Sequence, residues 1–271
     1  MLKKKKKFLY VMICIICLGS LGFGNFYYNM KLENTANAAK KALQDDSIVK
    51  ETAEEATVNS ADVLSEKLTK NFPEDLSVKI TEKINAGKTV KLAALGSEST
   101  STDKGSWGEL LQKDLDKAYG KGAIEVTAEG IKDDLSINII KDKKYKTLLE
   151  QKPDILLIEP FLLNDNGNVK VEDTLGSLDI LLADVKKISE DTTVMIQPPN
   201  PIYKPVFYLD QVNKLEEFTK ENELIYLNHW GAWPDQNSEE MKMYVDMNTY
   251  QPTEKGEKVW AKYLINYFTG K

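Results

Sequence analysis

The sequence is poor in cysteine and histidine, the residues that most often bind transition metals or supply reactive side chains. Its only cysteines are Cys14 and Cys17, and its only histidine is His229. Because no cysteine follows Cys17, the rest of the chain has no disulfide, no thiol nucleophile and no Cys-ligated metal. A single histidine also excludes a His-rich metal centre. The sequence therefore gives no indication of a metal or any other cofactor.

The chain also lacks the net positive charge of a nucleic-acid-binding protein. Its formal net charge is −6, although five lysines stand together at Lys3 to Lys7. The remainder is therefore more acidic still, whereas contact with phosphates requires a basic face. We expect no nucleic-acid partner.

Charged residues are missing from one stretch near the N-terminus, Phe8 to Tyr28. The run is long enough to cross the ~30 Å hydrocarbon core of a bilayer as a helix. Since lysines before such a run stay in the cytoplasm, it predicts a single-pass anchor in the cell membrane with the following domain on the extracellular side. The small residues of Ala36-Asn37-Ala38 also fit a signal-peptide cleavage site, which would make the protein secreted. Both alternatives stay open on the sequence.

Composition divides the chain into three parts. Residues 1–31 are the predicted membrane anchor or signal segment. Residues 32–87 are polar and rich in helix formers, and they predict a solvated helical stalk or linker. No sustained heptad favours a coiled coil there. Residues 88–271 alternate short apolar runs with amphipathic segments, and their length suffices for one domain with a full core.

Five apolar runs of the last part predict buried β-strands, and helical spacing predicts helices between and after them. The predicted strands are Thr89–Leu95, Ala123–Thr127, Asp154–Pro160, Thr193–Gln197 and Leu224–Asn228. The predicted helices are Trp107–Ala118, Tyr145–Gln151, Leu175–Ser189, Leu209–Glu221 and Gly256–Phe268. Such alternation is typical of a parallel sheet covered by helices on both faces. Ligands bind these sheets at the carboxyl ends of the strands, so the loops after the strands form the candidate site.

Three of these loops resemble, in their order, the motifs of the SGNH/GDSL hydrolase family. The family carries its nucleophile in a Gly-Asp-Ser-x-Thr turn, and the corresponding turn here is Gly96-Ser97-Glu98-Ser99-Thr100. A Gly-x-Asn-Asp turn is matched by Leu162-Leu163-Asn164-Asp165, and an Asp-x-x-His-Pro block by Asn248-Thr249-Tyr250-Gln251-Pro252. The resemblance covers about Lys88 to Phe268. It implies a flavodoxin-like three-layer α/β/α fold and, in an active member, hydrolysis of an ester.

The matched motifs depart from the family at the residues that perform the reaction. Glu98 stands at the position of the nucleophilic serine, and Gln251 at that of the histidine. Because a neutral amide is not a base near pH 7, the usual relay is missing. Only Asn164 keeps a family role, that of an oxyanion donor.

The two serines and the histidine leave a second route to the same chemistry. A one-residue shift of the turn would present Ser97 or Ser99, and His229 after the last strand would act as the base. The competing interpretations are that the serines cap the turn or a helix, and that His229 packs between Trp230 and Trp233.

The candidate site is taken from all of these loops. The candidate catalytic residues are Ser97, Glu98, Ser99, Asn164 and His229, and the candidate substrate-binding residues are Trp230, Trp233, Asp165 and Gln251. The two tryptophans would stack on sugar rings, unless they pack in the core or in a lid. These residues predict an ester hydrolase of weak or lost activity that acts on a cell-envelope carbohydrate or another ester. The alternatives are a non-catalytic relative that binds glycan or scaffolds an assembly, and an unrelated flavodoxin-like binding domain.

Overall fold

Five parallel strands form the central sheet of the computed structural model, which describes residues 67–271. The strands are β1 (Val90–Ser97), β2 (Ile124–Ile131), β3 (Ile155–Ile158), β4 (Thr193–Ile196) and β5 (Ile225–Tyr226). They lie in the order β2-β1-β3-β4-β5, and every neighbouring pair is parallel. Because each connection between parallel strands must cross a face of the sheet, helices cover both faces.

The helices follow the strands along the chain. They are α1 (Glu74–Asn85), α2 (Trp107–Tyr119), α3 (Ser136–Lys141), α4 (Lys146–Glu150), α5 (Leu162–Asp165), α6 (Val171–Ile188), α7 (Tyr208–Glu221) and α8 (Glu254–Phe268). Two 3₁₀ turns, His229–Ala232 and Glu239–Met243, lie between β5 and α8. The last helix begins where the hydroxyl of Thr253 accepts a hydrogen bond from the Gly256 N–H, an ordinary N-cap.

The sheet separates two apolar layers, because successive side chains of a strand point to opposite faces. Leu92 of β1 lies in one layer with Trp107 of α2. Leu95 of the same strand lies in the other layer with Leu178 of α6. Both leucines are fully buried, so truncation of either to alanine would cost about 2–5 kcal/mol. The predicted three-layer α/β/α fold around a five-stranded parallel sheet is confirmed.

Helix α1 lies in the segment predicted as a stalk, and it packs on the domain. Leu76 and Ile80 are 1% and 0% exposed, and they belong to the same apolar layer as Leu92. The described residues all fall in one compact unit, Thr57–Lys271. The division of the chain at residues 31 and 87 stays a prediction, and residues 1–66 lie outside the described residues.

The predicted membrane location is corrected here. Within residues 67–271, no helix is both long enough and apolar enough to cross a membrane. The apolar run Phe8 to Tyr28, on which the prediction of an anchor depended, lies outside the described residues. The assignment to a cell membrane is therefore withdrawn.

Candidate functional site

The turn that follows β1 places one of its three candidate residues at the surface and buries the other two. The Thr100 N–H donates to the Ser97 carbonyl at 2.8 Å and closes the turn. As a result Glu98 is exposed, whereas Ser97 and Ser99 are 2% and 4% exposed. Glycine is required at position 96, because a Cβ there would lie 2.6 Å from Glu159 Oε2.

Glu159, which follows β3, holds this turn from below. Its Oε2 accepts hydrogen bonds from the Ser97 N–H at 3.2 Å, the Ser97 hydroxyl at 2.9 Å and the Thr100 hydroxyl at 2.7 Å. Its Oε1 is buried without a hydrogen-bond partner among the described residues. Burial raises the pKa of the Glu159 carboxyl to about 7, although the hydrogen bonds from Thr100 and Ser97 act in the opposite direction. Glu159 is not among the candidate residues taken from the sequence, although a carboxylate directly after the apolar run Ile155–Ile158 could have indicated it.

Glu98, at the position of the family's nucleophile, points outward. Its Oε1 lies 2.6 Å from the ammonium of Lys132, and the two side chains are 42% and 61% exposed. The carboxylate raises the pKa of Lys132, first through the hydrogen bond and then through charge. Because the ammonium of Lys132 and the solvent both stabilise the carboxylate charge, this arrangement does not favour Glu98 as a nucleophile.

Ser99 is held between two amide side chains. Its hydroxyl oxygen lies 2.5 Å from Gln251 Oε1 and 3.1 Å from Asn200 Oδ1. Asn200 is itself 0% exposed, and its Nδ2 donates to the carbonyl of Tyr250 at 2.9 Å. A hydroxyl has one proton, which serves one acceptor at a time, and neither amide is a base. Ser99 therefore links the first turn to the loop that carries Gln251.

The Asn164-Asp165 pair fixes the loop after β2. Asn164 Nδ2 donates to the Asp134 carbonyl at 3.0 Å and to the Ile131 carbonyl at 3.4 Å. Asp165 is 1% exposed, and its carboxylate accepts from the Ser136 N–H at 2.9 Å and from the hydroxyls of Ser136 and Thr174 at 2.5 Å each. Asp165 therefore joins α3 to α6 and does not face the solvent.

His229 lies in the core beneath β5. Its Nε2 lies 2.9 Å from the Pro198 carbonyl, and its Nδ1 lies 2.9 Å from the indole nitrogen of Trp233. Because an indole N–H only donates, Nδ1 is the acceptor and Nε2 carries the proton. The ring is 0% exposed and stacks on Trp260 with centroids 4.4 Å apart. Burial lowers the pKa of His229 to about 3, against the opposing effect of the Pro198 hydrogen bond, so the ring is neutral at pH 7.

The two candidate tryptophans also use their indole N–H groups within the fold. Trp233 is 7% exposed and donates to His229. Trp230 is half-buried, donates to the Pro199 carbonyl at 2.7 Å, and contacts Tyr208 with ring centroids 5.6 Å apart. Both rings anchor the 3₁₀ turn His229–Ala232 to the loop after β4.

A cleft of about 440 Å³ at the carboxyl edge of the sheet brings together the three matched motifs. It is lined by Glu98, Asp133, Asp134, Leu135, Leu163, Asn164, Asn166, Asn168, Thr249, Tyr250 and Gln251. Of the candidate residues, Glu98, Asn164 and Gln251 meet in this cleft. His229, Trp230, Trp233 and Asp165 are not among its lining residues. Carboxylates, amides and one tyrosine make this a polar cleft that is suited to hydroxyl groups.

Metal coordination has no ready place in this part of the chain. Over residues 67–271, no group of three or more His, Cys, Asp or Glu side chains could hold a metal ion. Two of the three carboxylates that line the cleft are engaged in separate ion pairs, Glu98 with Lys132 and Asp134 with Lys144 at 2.6 Å each.

Solved structures of similar fold include a G-D-S-L family protein and acetyl xylan esterases. A G-D-S-L family protein from Desulfitobacterium hafniense is 16% identical, with a TM-score of 0.53 over 66% of this chain and 99% of that one. An acetylxylan esterase from Geobacillus stearothermophilus is 14% identical, with a TM-score of 0.55 over 66% and 94%. A second acetyl xylan esterase, AlAXEase, is 14% identical, with a TM-score of 0.56 over 65% and 98%. No protein-family model and no curated protein matches the sequence.

Proposed function

The chain has the SGNH/GDSL hydrolase fold, and from this premise we propose that it binds carbohydrate in the cleft at Glu98, Asn164 and Gln251 without hydrolysing esters. The observation that carries the proposal is the burial of His229. The only imidazole of the chain has both ring nitrogens engaged by Pro198 and Trp233, while the cleft presents Gln251 instead.

The missing base decides against a serine relay in this cleft. A serine nucleophile needs a group that takes its proton, and such a group normally supplies about 10²–10⁴-fold in rate. Gln251 is the partner of Ser99, and an amide does not take a proton near pH 7. Two of the similar structures are catalytic mutants of the Geobacillus enzyme in which a serine or an aspartate is replaced by alanine. At the positions where the motifs of the family carry a serine and an aspartate, this chain has Glu98 and Asn248.

Two features support a carbohydrate as the ligand. The cleft combines four amide side chains, Asn164, Asn166, Asn168 and Gln251, and an amide both donates and accepts hydrogen bonds as sugar hydroxyls require. The Asn164 nitrogen and the Gln251 oxygen already have partners within the fold, which leaves the Asn164 oxygen and the Gln251 nitrogen for the sugar. Two proteins of similar fold are acetylxylan esterases, whose names refer to an acetylated polysaccharide. A polysaccharide is therefore the ligand class that we propose.

Ester hydrolysis through a buried pair is the second candidate. The Ser97 hydroxyl donates to Glu159 at 2.9 Å, and a carboxylate with a pKa of about 7 is within the range of a general base. However, Ser97 and Glu159 are 2% and 0% exposed, so no ester reaches the hydroxyl unless the turn opens. This candidate makes a separate prediction, since it requires Ser97 and does not require Ser99.

The test uses the full-length chain with acetylated xylotetraose and with 4-nitrophenyl acetate. We expect no hydrolysis above that of Ser97→Ala, and saturable binding of xylotetraose in titration calorimetry. Gln251→Ala should weaken this binding, whereas Gln151→Ala, an exposed glutamine at the amino edge of the sheet, should not. Hydrolysis that Ser97→Ala abolishes would favour the buried pair, and the absence of binding to any oligosaccharide would contradict the proposal.

A further inference from the structure

Tyr250 stands at the cleft in a backbone conformation that ordinarily favours glycine. Its φ is +60°, a value that costs a residue with a bulky side chain about 1–3 kcal/mol unless the surroundings fix it. The side chain lines the cleft and is 46% exposed, so packing of the ring in the core does not offset this cost. Of the six non-glycine residues with a positive φ in the described part of the chain, two, Asp133 and Tyr250, line this cleft.

The surrounding turn fixes the backbone of Tyr250 from both sides. Asp246 Oδ1 accepts from the N–H groups of Asn248 at 2.8 Å and Thr249 at 2.9 Å. These hydrogen bonds lower the pKa of Asp246, and the hydrogen bond from the Thr249 N–H has the largest effect. The Tyr250 N–H donates to the Asp246 carbonyl at 2.9 Å, and the Tyr250 carbonyl accepts from Asn200 Nδ2 at the same distance. The turn thus fixes the backbone from which the Tyr250 side chain projects.

We propose that Tyr250 is the sugar-stacking residue of the cleft, on which the apolar face of a pyranose ring lies. The proposal rests on the proposed function and adds the residue that would recognise the ring. An exposed aromatic ring offers a flat apolar surface with little loss of conformational entropy. Asn164, Asn166 and Asn168 line the same cleft and would bind the hydroxyls at the edge of the sugar.

The position of Tyr250 in the chain agrees with this role. It directly precedes Gln251, whose side chain contacts Ser99 across the base of the cleft. A sugar on the Tyr250 ring would therefore lie above the position at which the family carries out its chemistry. Trp230 and Trp233, the aromatics that the sequence favoured, have their indole N–H groups bonded to Pro199 and His229.

The first experiment measures xylotetraose binding to the full-length chain and its Tyr250 variants. We expect about tenfold weaker binding for Tyr250→Ala, the size of effect that an aromatic anchor usually has, and a change below about twofold for Tyr250→Phe. In NMR spectra of the sugar, protons on one face of a pyranose ring should shift upfield with the wild type and with Tyr250→Phe. This shift should be lost with Tyr250→Ala.

A second variant separates stacking from a structural role. Asparagine tolerates a positive φ, so Tyr250→Asn should leave the urea midpoint unchanged or raise it while binding falls by about tenfold. Binding that Tyr250→Ala leaves unaltered, or a Tyr250→Asn variant that loses stability and affinity together, would overturn this inference alone. If the wild type binds neither xylotetraose nor chitotetraose, the proposed function fails as well.

Discussion

The wall of the cleft and the protein interior use polar residues in opposite ways. The wall carries Glu98 and Gln251, whose side chains are exposed and half-buried, respectively. The interior carries Glu159 and His229, both 0% exposed. Titratable groups with altered pKa values often mark catalytic sites. Here Glu159 holds the turn that carries Glu98, and His229 joins the loop after β4 to Trp233, so both groups have structural roles.

The two buried groups differ in whether all of their polar atoms have hydrogen-bond partners. Both ring nitrogens of His229 have partners, whereas Glu159 keeps one oxygen without a partner among residues 67–271. Burial lowers the pKa of His229 to about 3, so the ring is neutral at pH 7, and burial raises the pKa of Glu159 to about 7. The comparison predicts a structural histidine and a pH-sensitive carboxylate, and the following experiments test each.

The largest effect should come from removal of the histidine ring. His229→Ala deletes a fully buried ring that stacks on Trp260 and leaves the Trp233 N–H and the Pro198 carbonyl unsatisfied. We expect the free energy of unfolding to fall by about 3–5 kcal/mol. His229→Phe restores most of the volume but neither hydrogen bond, so its free energy of unfolding should lie between those of the wild type and of His229→Ala. Urea denaturation checks this, and a loss below about 1 kcal/mol would mean that His229 is free for another role.

The next effect concerns the pH dependence of stability. The folded-state pKa of Glu159 is about 7, above its ordinary value of 4.5, so folding favours the protonated carboxyl. Its contribution is fully present below pH 4.5 and is lost as the pH rises through 7. By linkage the loss amounts to about 3 kcal/mol. Glu159→Gln, which imitates the protonated acid, should therefore flatten the stability curve between these pH values.

A second carboxylate with the same behaviour provides the control for this measurement. Burial also raises the pKa of Glu257 to about 7, against a hydrogen bond from the Trp107 N–H. Glu257→Gln should remove only its own part of the pH dependence, and the double variant should remove both parts. Urea titrations at several pH values distinguish these cases. Parallel curves for the wild type and Glu159→Gln would show that the carboxylate is ionised throughout.

A smaller effect should follow from a methyl group at the base of the turn. Gly96→Ala places a Cβ 2.6 Å from Glu159 Oε2 and close to the Thr100 hydroxyl, so either the turn or the carboxylate must move. We expect a loss of about 1–3 kcal/mol. Gly176→Ala is the matched control, because this glycine lies within α6 with no atom within 4 Å of an added Cβ. That change should stabilise the protein by about 0.5–1 kcal/mol.

The sequence predicted the sheet better than the site for a physical reason. Apolar runs such as Ile155–Ile158 are local signals, and they placed the strands and the order of the layers. Strand β5 is shorter than its predicted run, Leu224–Asn228, because only Ile225 and Tyr226 pair with β4. The contacts of Glu159 and Asn200 depend on the register between distant strands and loops, which no local pattern contains.

The aromatics of the late loops illustrate the same limit. From the sequence, Trp230 and Trp233 were as good candidates for sugar stacking as any ring. In the structure the indole N–H of each tryptophan donates to an acceptor within the fold. Tyr250 is instead the aromatic residue that lines the cleft beside Gln251. The residues that flank Tyr250 in the sequence do not predict its positive φ.

The smallest effect should come from the ion pair on the wall of the cleft. Glu98 and Lys132 are 42% and 61% exposed, so solvent screens their attraction, and pairing restricts two flexible side chains. Glu98→Gln and Lys132→Gln should therefore each leave the free energy of unfolding unchanged within measurement error, as should the double variant. A double-mutant cycle by urea denaturation at low and at high salt measures any coupling between the two charges. A strong coupling that persists at high salt would show that this exposed ion pair stabilises the fold as the buried groups Glu159 and His229 do. The contrast between the cleft wall and the interior would then not hold.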